Sequence, residues 1–306
     1  MNKYEHILVI KLGALGDFVI SLGAMKSIRQ KHPDAHITLL TTKPFKFFAQ
    51  QSQYFNDIWV DERPKFHQPL KWLNLRKKLN NGQFTRVYDL QNNDRTSVYF
   101  KLFTPKPEWV GAAKGASHYY DDPARTAGLP LEGLRLLLAS TNINDIAVDK
   151  MEWINTDISK FNLRNPYALI VPGSAPSRPE KRWPKEKYAQ LCQKLANQNI
   201  QPVLIGTKDE VEITQYIEAN CPNALNLTAQ TSLFDIITLG RNAQYAVGND
   251  TGPMHMVGPT GCKTLVLFSC HSNPTRNAPM GDHVHTIQVK DFNDLDVQQV
   301  FNKLIT

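Results

Sequence analysis

The chain's 306 residues are enough for two domains of ordinary size, each with its own core. A content of 42% hydrophobic and 21% charged residues is that of a soluble globular protein, and no apolar run approaches the ~18 residues that would cross a bilayer. The formal charge of +7 suits an acidic substrate, a nucleic acid or an anionic membrane face and does not choose among them.

Residues 1–6 lead straight into a strand without a signal-peptide core, which predicts a cytoplasmic protein. The apolar run 7–10, the turn Lys11-Leu12-Gly13-Ala14-Leu15-Gly16-Asp17 and the amphipathic run 18–28 predict a buried parallel strand, a glycine turn and a helix reaching about residue 31. A second strand at 36–40 closes a β-turn-α-β unit, so the first half reads as Rossmann-like. A helix over 45–53, a strand at 57–60, a basic helix over 70–80 and a strand at 85–90 follow. The stretch 105–130 is rich in Gly, Pro and polar residues and reads as loops facing a cleft. Residues 131–140 are apolar and helical, and 142–165 have the weak periodicity of a connector.

At 167–171 the opening pattern starts again: an apolar strand, a Pro172-Gly173-Ser174 turn, a polar loop, a helix over 184–197 and a strand at 202–205. Helices over 209–219 and 232–240, short strands at 245–248 and 264–268, and an amphipathic tail helix over 295–304 complete a second unit. The chain therefore divides into two Rossmann-like domains, 1–155 and 156–306. Cys192, Cys221, Cys262 and Cys270 form no CxxC pair and read as buried thiols rather than a disulfide framework or a zinc site.

Glycine-bearing turns follow strand ends at 13–17, 172–183 and 248–255, and none is GxGxxG or GxxxxGK[ST]. That pattern speaks against a dinucleotide dehydrogenase and against a P-loop NTPase. Gly173 and Gly252 permit the close backbone approach that a diphosphate needs at a helix start. A carboxylate in such a place repels a phosphate, so Asp17 suits binding or deprotonating a hydroxyl, unless it serves only as a helix N-cap. Lys181 and Arg182 would supply positive charge to a leaving diphosphate, or else face solvent before a helix. His255 follows a helix start and can reach a cleft or be structural, and His283 and His285 alternate as on a strand without a third ligand. Asp294 and Asp296 form a DxD at the start of the terminal helix and read as capping rather than as a metal site. Lys71, Arg76, Lys77 and Lys78 give the helix over 70–80 a basic character suited to guiding an anionic acceptor, touching an anionic membrane or simply facing water.

Three motifs in this order, Lys11 to Asp17, Pro172-Gly173-Ser174 with Lys181-Arg182-Trp183-Pro184, and Asn249-Asp250-Thr251-Gly252-Pro253-Met254-His255, resemble those of glycosyltransferase family 9, the ADP-heptose:lipopolysaccharide heptosyltransferases. The resemblance covers nearly the whole chain. It implies an α/β protein of the GT-B type, two Rossmann-like domains facing each other across a cleft, with the acceptor on the first and the nucleotide-sugar donor on the second. It also implies roles: Asp17 as general base, and Lys181, Ser174, Thr251 and Gly252 on the diphosphate. Asp250 would bind sugar hydroxyls, His255 would support the donor pocket and Glu210 would meet the ribose. The chain departs from the family pattern at 256–260 and 269–274, near the expected donor pocket.

The resulting expectation is an inverting, metal-independent enzyme with no cofactor beyond its substrate, moving heptose from ADP-heptose to an acidic glycolipid acceptor at the cytoplasmic face of the inner membrane, with no nucleic-acid partner. Two alternatives share these features: a sugar-nucleotide epimerase of the same fold, and a non-catalytic nucleotide-sugar binding protein.

Overall fold

A computed structural model describes residues 5–121 and 129–306, in two compact units, Met1–Asp149 and Lys150–Thr306. The division falls slightly ahead of the 155/156 boundary expected from the sequence. The first unit runs β1 (His6–Ile10), α1 (Leu15–Lys31), β2 (His36–Thr41), α2 (Lys46–Ser52), β3 (Asp57–Val60), α3 (Pro69–Asn81), β4 (Arg86–Asp89), α4 (Asp94–Leu102), β5 (Glu108–Gly111), β6 (His118–Tyr119) and α5 (Pro130–Ala139). Its strands form one parallel sheet in the order β3-β2-β1-β4-β5-β6. Ile7 to Ile10 are fully buried, because helices cover both faces of a parallel sheet and its central strands need apolar residues on each side.

Cys192, Cys221 and Cys262 are buried as expected, but Cys270 is exposed. Two further expectations change here. The run 18–28 is not amphipathic: it is buried on every side except at Lys26. The segment 145–149 lies across the side of α1 turned away from the sheet, with Ser27 Oγ donating to Asp145 O at 2.9 Å and a Cβ on Gly23 falling 1.9 Å from Ala147 O. The stretch 105–130 is not all loop either, since β5 and β6 extend the sheet through it. Both strands are too short to show a period of two, and β5 also follows directly on Pro105 and Pro107. Residues 122–128 of that stretch, and residues 1–4 at the start, lie outside the described residues.

The second unit runs β7 (Tyr167–Val171), α6 (Lys185–Asn197), β8 (Gln201–Leu204), α7 (Val211–Asn220), β9 (Leu225–Asn226), α8 (Leu233–Asn242), β10 (Tyr245–Asn249), α9 (Gly252–Val257), β11 (Lys263–Phe268), α10 (Pro274–Asn277), β12 (Val284–Gln288) and α11 (Val297–Ile305). Its parallel sheet has the order β12-β11-β10-β7-β8-β9. In both units the first strand lies beside the fourth, so the chain winds outward one way, returns and winds outward the other way. That reversal opens a crevice beyond the carboxyl ends of the two central strands, where doubly wound proteins bind ligands. The tail helix α11 is amphipathic as expected, burying Val297, Val300, Phe301 and Leu304 in the core that also holds Leu191 and Leu195 of α6.

Candidate active site

In the first unit the reversal lies between β1 and β4, which pair with Ile10 opposite Asp89. The loop leaving β1 is pinned by both of its neighbours: Leu12 N donates to Gln91 Oε1 at 2.9 Å and Thr42 Oγ1 donates to Leu12 O at 3.1 Å. Gly13 has a φ of +120°, and a Cβ there would come within 2.9 Å of the Phe45 ring, so only glycine fits this turn. Helix α1 then starts at Leu15 with Ala14 as its N-cap, which places Asp17 at the third helical position rather than at the cap. Its carboxylate reaches back to the cap residue: Oδ2 accepts from Ala14 N at 3.2 Å, Oδ1 accepts nothing among the described residues, and the side chain is exposed.

Two buried ionisable groups, Lys11 and Asp89, act on each other electrostatically in this region, and the sequence reading missed Asp89. The Lys11 ammonium is buried and donates to Leu90 O at 3.3 Å. Burial lowers its pKa, against the attraction of Asp17 and Asp89. Burial pushes the Asp89 carboxyl up to about 6, opposed by Thr96, the Asn92 amide and Lys11. Lys11 stands in the first motif, but the nearness of Asp89 to it depends on the register of β1 and β4.

In the second unit the reversal lies between β7 and β10, where Val171 is opposite Gly248. Asn249, fully buried, holds the loops together with all four of its hydrogen bonds. Its Nδ2 donates to Pro172 O (2.7 Å) and Gly173 O (3.3 Å), and its Oδ1 accepts from Trp183 N and Tyr188 OH, each at 3.0 Å. Beside it Lys181 Nζ lies 2.8 Å from Asp250 Oδ2 and donates to Ser272 Oγ at 3.3 Å, while Ser272 Oγ donates to the same Asp250 oxygen. Lys181 is therefore no solvent-facing residue, at 17% side-chain exposure. Ser272, from the stretch where the chain departs from the family pattern, completes this cluster and was not anticipated.

Arg182 is not solvent-facing either; it donates through Nε to Ser174 Oγ (3.1 Å) and through Nη2 to Ser174 O (3.0 Å). Ser174 also donates to Arg178 O at 3.0 Å and is buried, so its hydroxyl shapes the loop instead of standing open to a diphosphate. Glu210 is buried against bare backbone: a Cβ on Gly173 would lie 2.6 Å from its Cγ, and one on Gly206 would lie 2.9 Å from its Cβ. Its Oε2 accepts from Thr207 N and Oγ1, both at 2.7 Å, and its Oε1 accepts nothing among the described residues. Thr251 is the N-cap of α9 and makes no side-chain capping bond; Gly252 opens that helix and His255, half-buried, lies on it.

The structure divides the basic helix. Lys71 pairs with Glu62 at 3.5 Å, and Lys78 lies 4.9 Å over the Trp59 ring with its pKa lowered by burial, leaving Arg76 and Lys77 exposed. Asp296 caps α11 by accepting from Gln298 N at 2.9 Å.

Two doubly wound units, each with charged residues at its reversal point, define an α/β protein of the GT-B type. Residues 132–304 match glycosyltransferase family 9 (heptosyltransferase). The chain is 30% identical to lipopolysaccharide heptosyltransferase 2 of Salmonella typhimurium over 92% of its length and 88% of that protein. It is 25% identical to the lipopolysaccharide core heptosyltransferase OpsX of Haemophilus influenzae, over 98% of its length and 88% of that protein. The solved structure of the E. coli ADP-heptose LPS heptosyltransferase II superposes with a TM-score of 0.75 at 20% identity, covering 97% of each chain. A UDP-GlcNAc 2-epimerase of Methanocaldococcus jannaschii shares the fold less closely, with a TM-score of 0.60 at 12% identity over 97% of this chain and 91% of its own. The chain belongs to glycosyltransferase family 9 and is an enzyme of the glycosyltransferase class.

Proposed function

We propose that this chain transfers heptose from ADP-heptose to an acidic lipopolysaccharide core acceptor, in one displacement that inverts the anomeric centre and uses no metal. The names of its relatives, a lipopolysaccharide core heptosyltransferase and an ADP-heptose LPS heptosyltransferase, support the donor and acceptor. Asp17 takes the proton of the acceptor hydroxyl, which attacks the anomeric carbon as the bond to the nucleoside diphosphate breaks. Lys181, with the backbone at Thr251 and Gly252, stabilises the charge that collects on the departing diphosphate, which is the task a divalent cation performs elsewhere. Glu210 receives a ribose hydroxyl on its open oxygen, Asp250 receives sugar hydroxyls, and His255 lines the donor pocket. A nucleotide-activated donor is a cytoplasmic metabolite, so this reading places the chain there.

The observation that carries the reading is the exposed Asp17 carboxylate, held on one oxygen by the Ala14 amide and open on the other. A sugar hydroxyl is too weak an acid to attack unaided at neutral pH, and a positioned base contributes typically ~100 to 10,000-fold. In Asp17→Asn the side-chain carbonyl still accepts from Ala14, so the helix start survives. We expect kcat to fall by that factor while donor affinity and melting temperature stay close to wild type. Transfer within a few-fold of wild type, under conditions where chemistry limits the rate, would remove Asp17 from the role of base.

A further inference from the structure

One corner of the first unit carries an apolar surface for which the transfer reaction has no use. Strands β2 and β3 pair with Thr41 opposite Val60, so the segments leaving their carboxyl ends emerge side by side, on the sheet edge from which the Asp17 loop also leaves. The first segment holds Phe47, 60% exposed in the first turn of α2, and the second holds Phe66, 88% exposed. Phe66 does not sit on a loose loop. Lys65 N donates to Gln68 Oε1 at 3.0 Å, Trp72 Nε1 donates to Lys65 O at 3.1 Å, and the Phe66 and Trp72 rings are 6.4 Å apart.

Helix α3 extends this surface. Leu75 and Leu79 point into the core, whereas Leu70 and Leu73, 74% and 58% exposed, lie on the opposite face together with exposed Lys77. An amphipathic helix of an ordinary globular protein would place polar residues there. The surrounding exposed side chains are cationic, Lys43, Lys46, Arg63 and Lys65, and the exposed acid Glu62 is paired with Lys71. A clustered apolar surface ringed by cations is complementary to one material in particular, a sheet of hydrocarbon under anionic headgroups.

We propose that this corner docks on an anionic lipid bilayer, with Phe66, Leu70 and Leu73 entering the headgroup boundary and the surrounding lysines meeting lipid phosphates. The contact is peripheral, as no described helix is long and apolar enough to cross a membrane. Docking requires only this surface, so it is measurable without any sugar transfer.

The test is co-sedimentation of the full chain with vesicles of mixed phosphatidylglycerol and phosphatidylcholine, against vesicles of phosphatidylcholine alone. Wild type is expected to pellet with the anionic vesicles, to be released by added salt and to stay in solution with the neutral ones. The triple variant Phe66→Ser, Leu70→Ser, Leu73→Ser, altered only at exposed positions, should keep its melting temperature and bind about tenfold or more weakly. Wild type that fails to pellet with anionic vesicles overturns the proposal, as does a triple variant that binds them like wild type. Intact vesicle binding with a raised KM for a soluble, lipid-free acidic oligosaccharide would make the surface an acceptor site instead. A wild-type dimer that the variant converts to monomer, with no vesicle binding by either, would make it a contact between copies.

Discussion

Lys181 and Arg182 are neighbours in sequence with separate tasks. The ammonium of Lys181 reaches across to Asp250 and Ser272, beyond the end of the neighbouring strand, while the guanidinium of Arg182 is used up on its own loop at Ser174. In the proposed reaction, replacing Lys181 by Ala removes charge from the departing diphosphate, and it leaves Asp250 without its cation. Donor affinity and turnover should fall together, with kcat lower by about 100-fold or more. Arg182→Ala should loosen the loop and cost less of both. Calorimetry with the donor nucleotide decides the order, and a larger loss for Arg182 would transfer the phosphate role to it. Asp89 gives a second prediction at this scale. An unfolded aspartate loses its proton near 3.8, whereas burial keeps that of folded Asp89 up to about 6. Its stabilising contribution is therefore complete below the lower value and is lost as pH rises through the upper one, a loss of ~3 kcal/mol. Asp89→Asn lacks this loss, so urea unfolding at a series of pH values should show the variant gaining on wild type between about pH 4 and about pH 7. A constant difference would place the carboxyl at its ordinary value. The Lys11 and Asp17 motif was legible from the sequence, but its link to Asp89 was not, because those residues meet only through the register of β1 and β4.

Helix α1 carries Asp17 in its first turn, and its surroundings explain why the sequence pattern misleads. The run 18–28 looks amphipathic because Ser21, Ser27 and Lys26 interrupt the apolar residues, yet both serines are buried and donate to backbone carbonyls. The second layer over the helix is irregular chain at 145–149, which has no periodicity of its own to reveal it. Gly23 is where the two come closest. On a solvated helix Gly→Ala would gain ~1 kcal/mol. Here the added methyl meets the Ala147 carbonyl, and overpacking of backbone typically costs ~1–3 kcal/mol. Gly23→Ala is therefore expected to lower the melting temperature, and a rise would show that 145–149 does not lie against α1. The basic helix α3 shows the same limit. Its spacing announced four cations on a helix, but the stacking of Lys78 on Trp59 and the pairing of Lys71 with Glu62 arise from neighbouring segments.

For the whole molecule, the proposed reaction predicts that a lysine and backbone amides do the work of a metal, so transfer should survive EDTA. A loss restored by magnesium or manganese would defeat this. A panel of nucleotide sugars, scored by melting temperature, tests the donor: a ligand at ~100 times its dissociation constant stabilises by ~2.7 kcal/mol, and ADP-heptose should give the largest shift. What the amino-acid sequence determined by itself is the repeated strand-turn-helix plan and the identity of the residues in the turns. Contiguous apolar runs, glycines at strand ends and the charges beside them are local features, and a parallel sheet covered on both faces demands them locally. The tertiary structure alone decided which of those residues meet. Lys181 finds Asp250 across 69 positions of chain and Asp250 finds Ser272 across 22, while Asn249 closes on Pro172 across 77. The first and last of those encounters depend on the first strand of the second unit lying beside the fourth, and the middle one on the fourth lying beside the fifth, an order set by the packing of helices onto both faces of a twisted sheet and not written in any one segment.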